Sequence, residues 1–112
     1  MKDPQILRNK EDFSRLHNKG KSAGSRHVVL VYLSNDLPYN RKAFLASKKV
    51  GNSVKRHRAA RLMREAFRQI ESEKDLKKGS DFLFIARSTI TDSKCADVKK
   101  SIEAALKRAG MY

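Results

Sequence analysis

Gly51-Asn52-Ser53-Val54-Lys55-Arg56-His57-Arg58-Ala59-Ala60-Arg61-Leu62-Met63-Arg64-Glu65-Ala66-Phe67-Arg68-Gln69-Ile70 is the stretch on which the fold turns. Its first three residues break the preceding pattern and supply a helix cap. From 54 to about 70 the apolar residues are Ala59, Leu62, Met63, Ala66, Phe67 and Ile70, which follow Ala59 at steps of 3, 4, 7, 8 and 11. That is helical spacing, one apolar stripe along an amphipathic helix. At ~100° per residue the stripe lies opposite Arg61, Arg64 and Arg68, with Arg58 on its shoulder. One face packs and the other is a row of guanidinium groups.

Upstream, residues 26–33 (RHVVLVYL) are β-branched and aromatic, which predicts a strand. Residues 34–40, with Asn35, Asp36 and Pro38, form a turn, and 41–48 (RKAFLASK) read as its antiparallel return strand. Residues 21–25 are small and polar, a loop or a short edge strand. Asn9 opens a first helix with Asp12 as a capping-box-like partner. In it Phe13 and Leu16 share a face, His17 lies beside them, and Gly20 ends the helix. Downstream, 71–79 is a charged connector. Residues 81–87 (DFLFIAR) are nearly all apolar, which predicts a strand covered on both faces. Residues 91–93 offer caps for a last helix, whose stripe is Cys95, Val98, Ile102, Ala105, Leu106 and Ala109 and whose stop is Gly110. The expected class is α+β, a single layer of about four strands packed with three helices in the order αβββαβα, as one domain over residues 1–112.

Charge narrows the function. The chain carries 26 Lys+Arg against 12 Asp+Glu, a net +14 over 112 residues. Residues 41–68 hold ten of the basic groups against Glu65 alone. A basic run can be a plain solvated face. Here, however, it carries most of the net charge and nearly lacks compensating Glu, and from 55 to 68 five arginines stand against Lys55. Arg makes planar, bidentate contacts to phosphate and stacks on bases, so the expected partner is RNA. No apolar run approaches the ~20 residues of a membrane span and no signal-peptide core opens the chain, so a cytoplasmic location is expected. Cys95 is the sole cysteine, which excludes an intrachain disulfide; on its stripe it reads as a small buried hydrophobe.

Candidate chemistry is sparse. His17, His27 and His57 fall on the first helix, a strand and the basic run, with no metal-ligand spacing between them. There is no HExxH, no nucleophile turn leading from a strand into a helix, and no cluster of acids, so neither a catalytic residue nor a protein metal site is expected. Gly51-Asn52-Ser53 opening a helix reads equally as a capped turn and as an anion-binding start, with Lys48, Lys49 and Lys55 beside it. Phe13 and His17 read as core or as a platform on which single-stranded bases stack.

The run Lys48-Lys49-Val50-Gly51-Asn52-Ser53-Val54-Lys55-Arg56-His57-Arg58-Ala59-Ala60-Arg61-Leu62-Met63-Arg64-Glu65 resembles the bacterial ribonuclease P protein subunit, whose pattern there reads approximately K-K-x-G-N-A-V-x-R-N-R-x-x-R-L-x-R-E. Asp12-Phe13, Lys19-Gly20-Lys21 and the strand ending in Ala86-Arg87 extend the similarity over most of the chain. The resemblance implies a non-catalytic partner of a catalytic RNA. Together they remove the 5′ leader of precursor tRNA by hydrolysis that depends on Mg2+, bound mainly by the RNA. It implies that Lys49, Asn52, Lys55, Arg56, His57, Arg58, Arg61 and Arg64, with Arg68 on the same row, face the RNA subunit. It places the leader in a cleft between the first helix and the sheet, lined by Phe13, His17, Val31, Lys48 and Arg87. It also implies a left-handed crossover from the third strand through the basic helix to the fourth. Two positions depart from the pattern: His57 replaces the central Asn of Arg-Asn-Arg, and His17 stands where an aromatic such as Phe is frequent. The competing reading is a ribosomal or other structural RNA-binding protein of similar fold. A protein-only nuclease would need a cluster of Asp, Glu or His to hold metal, and the acids here do not gather near the basic run. No protein partner is implied.

Overall fold

A computed structural model describes residues 4–112. Helix α1 spans Lys10–Lys19, strands β1, β2 and β3 span Lys21–Gly24, Val28–Ser34 and Arg41–Leu45, and helix α2 spans Ser53–Glu73. Strand β4 covers Ser80–Ala86, a 3-10 turn Ser88–Asp92, and helix α3 Cys95–Arg108. The expected order, αβββαβα, is present, with four strands in one mixed sheet.

The sheet order is β1-β2-β4-β3, with β4 antiparallel to β2 and parallel to β3. The strand expected as the return arm of a β2 hairpin therefore does not pair with β2. Burial explains the exchange. Strand β4 carries Phe82, Leu83, Phe84, Ile85 and Ala86 in succession and takes the central place, where it is paired on both sides. Strand β3 is short, begins Arg41-Lys42, and goes to the edge, where charge is tolerated. It also stops at Leu45, short of the expected 48; Lys48 lies in a turn. Residues 5–7 cover part of its free edge: Lys42 N–H donates to Gln5 O and Lys42 O accepts from Leu7 N–H.

The core lies between one sheet face and helices α2 and α3. Phe67 and Ile70 from α2, Val98, Ile102 and Leu106 from α3, Leu30 from β2 and Phe82 and Phe84 from β4 are fully buried there. Four rings, Phe44, Phe67, Phe82 and Phe84, pack with centroids 4.8–6.2 Å apart. The stripe read for α2 is the buried one, with Leu62 half-covered at its border. Cys95 and Ala109 are likewise only half-buried at the ends of the α3 stripe.

Local signals misplaced some boundaries. Helix α2 runs three residues past 70, since Glu71 reaches Lys42 and Glu73 reaches Lys99 at 2.8 and 2.7 Å. Helix α3 begins after Lys94, whose N–H donates to Asp97 Oδ2, while the Ser93 hydroxyl turns away to Ile90 O. Asn9 does stand at the start of α1 but makes no side-chain cap, and Asp12 is engaged elsewhere. His27 precedes β2 rather than lying in it, with Nδ1 2.9 Å from Thr89 Oγ1.

Candidate RNA interface

The second face of the sheet is only partly covered. Side chains alternate across a strand, so β2, β4 and β3 send Val29, Val31, Leu33, Asp81, Leu83, Ile85, Arg41, Ala43 and Leu45 to it. Register arranges these in rows. Leu33, Asp81 and Arg41 form one row, Val31, Leu83 and Ala43 the next, and Val29, Ile85 and Leu45 the third. Helix α1 closes the first row. The other two form an apolar shelf whose side chains are half-exposed, and Leu45 is 49% exposed. The expectation that β4 is covered on both faces is thus corrected: ten residues of α1 are too few to roof the sheet.

An ion-pair network seats α1. The Asp81 carboxylate is fully buried and accepts from Arg41 Nε and Nη2 at 2.8 Å each, from Asn35 Nδ2 at 2.9 Å and from Arg15 Nη2 at 3.3 Å. Asp12 accepts from Arg15 and Arg41 at 3.1–3.2 Å. The Asp81 hydrogen bond raises the Arg41 pKa above its ordinary value, outweighing the burial that opposes it. Two arginines and two carboxylates thus alternate between helix and sheet. Beside them Leu16 is completely buried. Gly20 closes the approach: a Cβ there would lie 2.8 Å from Val31 Cγ1, so only glycine lets the end of α1 come down onto β2. Residues 13, 16, 17 and 20 share one face of α1. With Leu16 and Gly20 against the sheet, half-buried Phe13 and exposed His17 border the shelf.

At the opposite end Ser47, Lys49, Ile85, Ala86, Arg87 and Ser88 line a cavity of about 480 Å3. Arg87 continues the shelf side of β4, and its Nη2 sits 2.9 Å from where a Cβ of Gly24 would be. Val31 and Arg87 therefore lie on the same face of the sheet, which Phe13 and His17 border from α1. Lys48 is exposed in the adjoining turn, but Lys49 is the lysine that shares the cavity with Arg87. The shelf residues Val29, Ala43, Leu45, Leu83 and Ile85 were missed from sequence. Their signal was the apolar run on β2 and on β4, more apolar surface than the small helix α1 could cover.

The basic surface follows from the start of α2. Gly51 has φ +142°, a conformation that side chains disfavour, and the Lys55 stem lies across it. Asn52 Oδ1 accepts from Lys55 N–H at 3.0 Å, so the turn is capped by the chain's own side chain. The expected cationic row is not uniform. Arg58 donates to Thr91 O and Ser93 O at 3.1 and 2.8 Å and fastens α2 to the segment before α3. Arg68 is held by Glu65, whose carboxyl this pair and Gln69 depress to about 2. Arg64 lies over the Phe44 ring at 5.7 Å. Among the described residues the side chains of Lys49, Lys55, His57 and Arg61 are exposed and have no hydrogen-bond or ion-pair partner. Arg56 is half-buried beside them, with Nε shut away and unpartnered.

The family model for ribonuclease P matches residues 1–110. The chain belongs to the ribonuclease P protein family. The ribonuclease P protein component of Pelotomaculum thermopropionicum is 43% identical over 109 residues, covering 97% of this chain and 96% of that one. The component of Clostridium botulinum strain Loch Maree is 40% identical over 112 residues, covering 100% and 99%. Among solved structures, the ribonuclease P protein of Staphylococcus aureus superposes with a TM-score of 0.84 at 29% identity, covering 98% and 99% of the two chains. That of Thermotoga maritima gives 0.80 at 26%, covering 92% and 96%. The ribonuclease P fold, a mixed open sheet with three helices, is thus the fold of this chain. Among the described residues of this ribonuclease P protein no helix is long and apolar enough to cross a membrane.

Proposed function

We propose that this chain is the cytoplasmic, non-catalytic protein subunit of ribonuclease P, binding the catalytic RNA and the 5′ leader of precursor tRNA. The observation that carries the reading is the meeting of two surfaces. Free cations at the start of α2 adjoin, through Lys49 and Arg87, a half-covered apolar shelf walled by Phe13 and His17. Cations suit a structured RNA backbone, and a shelf with flat side chains suits unstacked bases of a single strand. The side chains here do not fit a magnesium ion: among the described residues no three of His, Cys, Asp or Glu gather, and Asp12 and Asp81 are taken up by arginines. In this reading magnesium is bound mainly by the RNA. This chain contributes binding, orientation and charge neutralisation.

Added to ribonuclease P RNA, the protein is expected to restore precursor-tRNA cleavage at low magnesium; alone and RNA-free it is expected to cleave nothing. Cleavage by the protein alone, abolished by a point substitution in it, would overturn the assignment. A structural RNA-binding protein would bind without restoring cleavage.

The arginine row should divide by its contacts. Arg61→Ala is expected to weaken binding of the RNA subunit and to lower the slope of log K against log salt by up to about one unit, with stability unchanged. Arg58→Ala is expected to cost about 1 kcal/mol of stability by losing its two carbonyl acceptors. Paired salt titrations and urea melts of the two variants check this. Identical behaviour would mean that the carbonyl contacts of Arg58 carry no weight.

A further inference from the structure

A groove outside the leader cleft lies between the free edge of β3 and the first turns of α2. It is about 280 Å3 and its lining includes Phe44, Leu45, Ala46, Arg56, His57 and Ala60. We infer that this groove takes one unpaired nucleobase of the RNA subunit. The inference rests on the ribonuclease P reading above and names a feature of the RNA within it.

Four observations point to a base. The first is shape and lining: Ala46, Ala60 and Leu45 give an apolar floor, and the flat groups of Arg56 and His57 stand beside it. A base offers a π-face to such groups. The second is an exposed backbone edge. Lys42 turns its N–H and C=O outward to residues 5–7, and Phe44, two residues on, turns its own the same way. Among the described residues no backbone group meets them. An outward N–H and C=O present the donor and acceptor that a base edge can pair with. The third is Arg56 Nε, the one side-chain nitrogen or oxygen among the described residues that is shut away without a partner. The same guanidinium lines the groove, so its other N–H donors can meet a base nitrogen or carbonyl. The fourth is position: exposed Lys55 and Arg61 stand on the same helix, so the phosphates flanking an inserted base meet positive charge. The occupant explains the departure at position 57. An imidazole stacks where a carboxamide does not, which makes His57 a specificity residue of this chain.

The test separates shape from charge. Ala60→Leu fills the groove and removes no charge. It is expected to weaken RNA-subunit binding by roughly 5- to 100-fold, the scale of one lost stack, with the salt slope unchanged. His57→Ala is expected to act the same way, and His57→Phe to retain binding. Chemical probing of base edges in the bound RNA should show one unpaired nucleotide protected by the wild type and exposed again with Ala60→Leu, but still protected with Arg61→Ala. Far-UV dichroism and urea melts confirm that each variant is folded. If Ala60→Leu binds as well as the wild type, or if no base protection depends on it, the groove is not a base site while the wider function stands. Failure of the wild-type protein to bind ribonuclease P RNA at all overturns both.

Discussion

Asp81→Ala is expected to destabilise the protein by about 3–5 kcal/mol, the cost of leaving a buried partner charge uncompensated. Asp81 is fully buried and takes hydrogen bonds from Arg41, Asn35 and Arg15. Its removal strands Arg41, whose side chain is 17% exposed, with Asp12 as its only carboxylate. The loss should be local as well as global. The network seats α1, so hydrogen exchange in Lys10–Lys19 is expected to speed up more than in α2 or α3. Urea unfolding measures the first effect and amide exchange the second. A midpoint equal to the wild type would show that Arg41 is solvated in the variant and that Leu16 alone holds α1 in place.

Phe13→Ala should act on function more than on stability. In the holoenzyme it is expected to weaken precursor-tRNA binding by roughly 5- to 100-fold, the scale of one lost base–aromatic stack, and to leave mature tRNA unaffected. The leader is the general difference between the two, and its bases are free to stack. The effect should vanish for a precursor with a leader of only one or two nucleotides, and affinity for the RNA subunit should stay the same. Phe13 is half-buried on α1, on the face shared with buried Leu16, so its ring is available where the core residue's is not. Equal weakening toward precursor and mature tRNA, or loss of folding, would make Phe13 an ordinary core residue and place the leader elsewhere.

The sequence by itself determined the elements whose signal is periodic and local. The stripe from Ala59 to Ile70 packs as spacing requires, because a helix repeats its faces every few residues whatever lies beside it. The cap at Asn52 and the strand character of β2 are local in the same sense. Charge density named the polyanion partner without any fold. Tertiary structure alone decided the rest. Whether β3 pairs with β2 or β4 depends on which strand most needs the centre of the sheet, a competition between segments about forty residues apart that no window contains. The shelf of the cleft exists because α1 is shorter than the face it covers, and that mismatch appears only on assembly. Arg58 and Arg61 look alike along the chain. One meets two carbonyls of a distant segment and becomes structural, while the other meets only solvent and leaves its charge exposed, because a guanidinium's role is set by the acceptors within its reach.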